Sequence, residues 1–383
     1  MNTISFLTLA FLGIYLGSFQ RFLDEIAIDL SLSKIVMGFI IATHFAGFFL
    51  GPLIAGELSD KYGRKVIVVC SLAVFLSGLA IILVSINEMM IFAGVFLVGA
   101  GFGTTEGSIT TILTDAAPDE SNRIINVSQI FFGLGAAAGP FMAMALIALT
   151  HEWKIFYGIS ILLVAVLAVC FLRYPDYSHT ATEKISGSIS IILLKKRAFI
   201  MLFVSLIMYV GIEEGVAFWI TSYVKEWSAL AYYPSLILTI FWGSVMIGRC
   251  LVSRFSQRLL ELIAGSAALI IVFLTIIVLT GNHLIILVSF LGLGLSISGM
   301  WPMLIATTRI HYPEYAGTAI GLMMSGGAIG GVAVPPIMGF IGSKANMKFA
   351  LAFCILPAVV IIVVLLIIRH ERNAKANQER VSP

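Results

Sequence analysis

Twelve times along its 383 residues the chain rises into an apolar run long enough to cross a lipid bilayer. The runs lie roughly at 3–28, 33–58, 65–86, 89–114, 123–149, 153–173, 199–224, 232–252, 261–280, 283–308, 316–341 and 347–368. A helical crossing takes about 20 apolar residues, so twelve consume about 240 and leave only short loops and tails. No water is available inside a bilayer to bond backbone amides and carbonyls, so each run has to satisfy them within itself, as an α-helix. Composition agrees: 60% of the residues are apolar, 11% are charged and the mean hydropathy is +1.05, whereas a soluble domain carries about 25% charge. That arithmetic excludes a soluble enzyme, a nucleic-acid-binding protein and any membrane protein with a large soluble domain attached.

The four cysteines, Cys70, Cys170, Cys250 and Cys354, sit singly inside apolar runs, which indicates reduced thiols and neither a disulfide framework nor a metal site. The first run has no basic segment ahead of it and no small-residue cleavage site after it, so it reads as a retained span. The longest polar interruption, Tyr174 to Arg197, divides the runs six and six. The expected organisation is a first six-helix bundle at 1–174, a linker at 175–198, a second bundle at 199–368 and a basic tail at 369–383. Lysines and arginines orient such a chain, because positive loops stay on the cytoplasmic side. With both termini cytoplasmic, 17 of the 23 basic residues fall on the inner side. The expectation is a monomer in the cytoplasmic (inner) membrane with the lipid bilayer as its surroundings, no cofactor and no nucleic-acid partner.

The two halves resemble each other at a nearly constant displacement. Tyr15-Leu16-Gly17 matches Tyr209-Val210-Gly211 at a shift of 194, and Ser59 and Arg64 match Ser253 and Arg258 at the same shift. Gly99 and Gly101 correspond to Gly292 and Gly294 at 193, and Gly135…Pro140 to Gly330…Pro335 at 195. These matches, in one order, indicate a duplicated six-helix unit in parallel orientation. Transporters built this way hold their substrate near the membrane midplane between the halves.

Between the second and third runs stands Gly56-Glu57-Leu58-Ser59-Asp60-Lys61-Tyr62-Gly63-Arg64-Lys65. The glycines permit a tight turn, Asp60 offers a carboxylate at a helix end, and Arg64 and Lys65 hold the loop inside. This segment resembles the cytoplasmic loop signature of the major facilitator superfamily. The resemblance implies an all-α membrane protein of twelve transmembrane helices in two parallel-repeat six-helix bundles. It also implies a latch between the halves formed by Gly56, Asp60, Gly63, Arg64 and Lys65. The run Gly133-Leu134-Gly135-Ala136-Ala137-Ala138-Gly139-Pro140 is similar to a motif of drug/proton antiporters, but those carry an arginine in the fourth span and none occurs here. We read the run as helix packing.

Ionisable residues inside a span are costly and by default functional. Those at depth are His44, Glu106, and the adjacent Glu213 and Glu214. Glu106 follows a glycine-rich stretch that lets a partner helix approach, and a carboxyl desolvated there can hold a proton and release it when water enters. Residues 213 and 214 point about 100° apart on a helix, so only one faces a central cavity squarely. The stretches around Glu106, around Tyr209–Glu213, and around Phe241–Arg249 resemble the fucose–galactose–glucose:proton symporter family, which implies proton or substrate coupling at Glu106 and Glu213. Tyr15, Gln20, Trp219, Trp242 and Trp301 are candidate cavity residues. Arg249 reads as an anchor at the cytoplasmic helix end. Arg21 and Asp24, three apart, are expected to pair on one helix face. If Arg21 faces the cavity instead, an anionic substrate fits.

The function expected is proton-coupled uptake of a sugar or similar small polar solute, with no enzymatic activity. Export of amphipathic drugs and organic-anion transport are the alternatives.

Overall fold

In a computed structural model of the chain, the structure describes residues 2–116, 121–173, 191–227, 234–252 and 258–381. All twelve runs are helical there, and each is long and apolar enough to cross a membrane. The first six crossings are α1 (Asn2–Asp29), α2 (Lys34–Tyr62), α3 (Arg64–Leu83), α4 (Glu88–Ala116), α5 (Ser121–Thr150) and α6 (Lys154–Leu172). The next three are α7 (Arg197–Trp227), α8 (Pro234–Val252) and α9 (Leu259–Leu279). Crossing ten is split into α10 (His283–Ser298) and α11 (Met300–His311), α12 (Ala316–Lys344) is single, and crossing twelve is split into α13 (Met347–Phe353) and α14 (Ile355–Val381). An even number of crossings brings both termini to one face, called here the terminal face; the opposite one is the far face.

Both splits depart from the continuous runs expected at 283–308 and 347–368, and both follow from proline. Pro302 has no N–H for the carbonyl of Ser298, and Pro357 has none for that of Phe353, so each helix breaks just after that carbonyl, at Gly299 and Cys354. The basic stretch expected as a tail from 369 continues α14 as a helix to Val381. Residues 175–190 of the expected linker lie outside the described residues, as does residue 174 before it, and α7 is already helical at Arg197.

Hydropathy sorts the helices by position. α6 and α9 have mean hydropathy 2.8 and 2.9 and only 28% of each is buried in protein, whereas α1 and α7, at 1.4 and 1.8, are 67% buried. The two most polar of these four are thus the innermost, at equivalent places in the repeat. Within the first half α1 packs on α5 and α2 on α4; the halves meet where α2 lies against α12 and α5 against α8.

The turn between α2 and α3 is made by Gly63, whose φ of 86° and ψ of 150° suit glycine, and whose N–H bonds the carbonyl of Ser59 at 3.0 Å. Asp60 lies in the last turn of α2, but its side chain lies outside the described residues, as do Ser253 and Arg254 in the second half.

Small residues set the helix spacing. A Cβ on Gly99 of α4 would overlap the carbonyl oxygen of His44 on α2, and one on Gly135 of α5 would overlap that of Ala10 on α1. The glycine-rich run in α5 is therefore a packing surface against α1. Gly99→Ala should lower the thermal unfolding temperature of the detergent-solubilised protein, at an overpacking cost of about 1–3 kcal/mol. Gly158→Ala, whose Cβ would meet nothing within 4 Å, should leave that temperature unchanged or raise it slightly.

Candidate functional site

The site is built where the innermost helices of both halves meet. α1 presents Gln20, Arg21, Asp24 and Glu25 on successive turns as it climbs to the far face. α7 answers with Glu213 and Glu214 at mid-length and Ser222, Lys225 and Glu226 near its far end.

Arg249 on α8 is the centre of the buried charge. Its Nη2 donates to Glu213 Oε1 at 3.0 Å and its Nη1 to Gln129 Oε1 on α5 at 2.9 Å. The Arg249 side chain is 12% exposed and that of Glu213 7%. Glu106, half-buried on α4, stands beside Gln129 and within electrostatic reach of Arg249. Glu214 makes a separate contact: Gln20 Nε2 donates to its Oε2 at 3.2 Å, and Trp242 Nε1 donates to Gln20 Oε1 at 2.7 Å. The indole is a donor only, so it fixes the amide with its oxygen toward Trp242 and its nitrogen toward Glu214. The two adjacent glutamates thus point to different partners, one to the guanidinium and one across to α1.

One turn farther out the halves are joined by ions. Asp24 accepts from Ser222 Oγ at 2.6 Å and pairs with Lys225 at 3.2 Å. Arg21 pairs with Glu25 at 2.7 Å and donates to Ser235 of α8 at 2.8 Å, while Lys225 also reaches Glu25 at 3.4 Å. Lys34 pairs with Glu226, whose other oxygen accepts the Met347 amide at 3.2 Å. The pair expected between Arg21 and Asp24 does not form: Arg21 turns to Glu25 four residues on, and Asp24 is taken by α7. Together these contacts tie the two halves at the far face.

His44 and Tyr15 occupy an aromatic box in the first half. The Tyr15 and Phe19 rings lie 6.2 and 5.5 Å from His44, with Phe45 at 5.5 Å and Phe102 at 5.9 Å. Phe218 of α7 reaches in against both Phe19 and Phe45. Both His44 nitrogens and the hydroxyl of Tyr15 are buried, with no hydrogen-bond partner among the described residues, while the buried Tyr209 hydroxyl lies beside Glu213 and Arg249.

The tryptophans divide. Trp219 is fully buried and donates to the Pro335 carbonyl of α12 at 3.1 Å, which makes it packing between α7 and α12. Trp242 holds Gln20. Trp301, half-buried at the break between α10 and α11, stands 6.5 Å from Tyr209 and against Gly327.

Arg249 stands in the last turn of α8, at the helix end where the sequence put it, but its side chain is buried and paired with Glu213. Its place inside the expected run 232–252 was the available signal. Gln129 is uncharged and so escaped a search for ionisable residues. Lys225 fell outside its expected run, which ended at 224, and Ser222 and Ser235 carry no sequence signal of their own.

Comparison with known proteins agrees with this architecture. The chain is 24% identical over 383 aligned residues to the glucose/mannose transporter GlcP of Bacillus subtilis, covering 96% of this chain and 94% of that one. It is 32% identical to the 4-hydroxybenzoate transporter PcaK of Pseudomonas aeruginosa over 164 residues, 42% of this chain and 36% of the relative. A crystal structure of the E. coli fucose:proton symporter FucP superposes with a TM-score of 0.64 at 21% identity, covering 96% of this chain and 98% of that one. The family model of the Major Facilitator Superfamily matches residues 3–335. With twelve crossings in two six-helix halves and that match, the chain belongs to the Major Facilitator Superfamily.

Proposed function

We propose that this transporter takes up a sugar or similar small polar organic solute together with protons, by alternating access at a site between its halves. The observation that carries the reading is the charge count at the centre: three carboxyl groups, Glu106, Glu213 and Glu214, around one guanidinium, Arg249. Uncompensated charge is costly in a low-dielectric interior, and carboxyls this close titrate as a group. A cluster with more carboxyls than cations exchanges protons with whichever side water reaches it from. When Glu213 takes a proton, its hold on Arg249 weakens and the guanidinium is released to other acceptors.

The excess of lysine and arginine on the terminal face puts that face in the cytoplasm. The far face, where ion pairs join the halves, is then external, and the latch sequence Gly56, Asp60, Gly63, Arg64 and Lys65 lies on the cytoplasmic face. His44 and Tyr15 supply unpaired donors and acceptors for solute hydroxyls, and Trp301 and the phenylalanines supply faces for its C–H surfaces.

A second reading, uptake of an organic anion with protons, is favoured by Arg249, since a substrate carboxylate can replace a protonated Glu213 as its partner. Competition in proteoliposomes separates the two: the first reading predicts displacement of labelled hexose by hexoses and none by 4-hydroxybenzoate.

Glu106→Gln should abolish hexose accumulation driven by a pH gradient, by about tenfold or more, while leaving hexose counterflow within about twofold. Retained gradient-driven accumulation would remove Glu106 from the coupling. Arg249→Met should destabilise the protein by about 3–5 kcal/mol, because Glu213 is left buried without its cation. Adding Glu213→Gln to that variant should recover a large part of the loss in thermal unfolding temperature.

A further inference from the structure

The chain enters its second half through a corner that the transport site does not use. Residues 191–193 are helical, and the Lys195 and Lys196 amides close the turn on the carbonyls of Ile192 and Leu193 at 3.2 and 2.9 Å. α7 then starts at Arg197. The turn is one-sided: Leu193 is 0% exposed and belongs to the core, whereas Ile191, Ile192 and Leu194 are 59, 46 and 43% exposed. Three cations follow in a row, Lys195, Lys196 and Arg197, all of them exposed.

Lys196 is held in place. Its Nζ lies 5.4 Å from the ring centroid of Tyr312 and 5.5 Å from that of Tyr315, where α11 gives way to α12. Tyr312 in turn packs edge-on against Phe199 of α7 at 5.6 Å. Aromatic faces attract an ammonium without neutralising it. Lys195 has no ion-pair partner among the described residues. Arg309 stands one turn before Tyr312 on α11, and Glu314 is the one carboxylate in residues 309–315.

Tyrosines at the end of a crossing sit at the headgroup level of a bilayer, and Tyr312 and Tyr315 bring the corner to that level. A charge that only orients the chain needs no ordered surroundings. Exposed apolar side chains beside a run of cations are the pattern of a segment lying between headgroups and acyl chains. Duplication does not account for the cations, because the positions 194 residues before Lys195, Lys196 and Arg197 are Met1, Asn2 and Thr3.

We propose that the corner at residues 191–197 is a docking site for an anionic phospholipid of the leaflet at the terminal face. Lys195, Lys196 and Arg197 meet the phosphate, and Ile191, Ile192 and Leu194 meet the acyl chains. The bound lipid ties the end of the linker to the bilayer surface where α7 begins.

The test is native mass spectrometry of the full-length protein in neutral detergent, titrated with phosphatidylglycerol or with phosphatidylcholine of the same chains. The parent should bind the anionic lipid about tenfold more tightly. Lys195→Gln combined with Lys196→Gln should bring that preference under about twofold. Ile192→Ser combined with Leu194→Ser should weaken phosphatidylglycerol binding about fivefold, and excess inorganic phosphate should leave it unchanged. Lys344→Gln with Lys348→Gln removes the same charge at the far face and should keep the parent's preference. The proposal is overturned if the parent does not distinguish the lipids, or if the corner lysine pair keeps the preference. It is equally overturned if the far-face pair loses as much, or if inorganic phosphate displaces the lipid, which would make the corner a site for a free anion. Lipid binding is read without any solute, so its outcome and that of hexose transport are independent.

Discussion

The structure depends on one guanidinium. Arg249 is the cation at the centre of a helical bundle that encloses three carboxyl groups, and it is bonded to only one of them. A lone carboxylate inside a membrane protein costs several kcal/mol (roughly 2.5 to more than 10, by differing estimates), so where the arginine points decides which carboxyl can be ionised. Every neighbouring arrangement serves that choice. Gln129 takes the second arm of the guanidinium, and the half-buried Glu106 lies beside Gln129. Glu214, with no cation left to it, is handed to the amide of Gln20.

Duplication explains why such a cluster sits between the halves. Two similar six-helix units placed side by side bring equivalent positions of α1 and α7 together, and the sequence differs there in chemistry, not in location. Position 20 is a glutamine and position 214 a glutamate; positions 15 and 209 are both tyrosines with buried hydroxyls, that of Tyr209 beside Glu213 and Arg249. The first half contributes neutral donors and an aromatic box around His44. The second contributes the charged pair and the tryptophan that orients Gln20. The glycine-lined helix pairs, α1 on α5 and α2 on α4, hold each half together, and ion pairs join the halves at the far face.

Much of this was legible in the sequence. The twelve runs, their six-and-six division and the 194-residue shift report on backbone burial in lipid and on duplication, and both leave regular traces. The depth of His44, Glu106, Glu213 and Glu214 was readable for the same reason: charge in an apolar run stands out. The breaks at Gly299 and Cys354 were signalled by Pro302 and Pro357, although continuous hydropathy hid them. The helix-end position of Arg249 was readable, but its pairing with Glu213 was not, because that depends on where α7 lies in space. Gln20, Gln129 and Ser222 matter through partners more than a hundred residues away, and no local pattern encodes such partners. The exchange of Arg21 and Asp24 between neighbours had the same origin: helical spacing permitted their pairing, and α7 and α8 supplied better partners.

The central claim is that the carboxyl cluster carries protons with the solute. Its most direct measurement is the pH of the external medium when hexose is added to weakly buffered, deenergised cells or liposomes containing the transporter. The account predicts alkalinisation that begins with hexose entry and is absent in Glu106→Gln. Hexose entry at full rate with no change in external pH would contradict it.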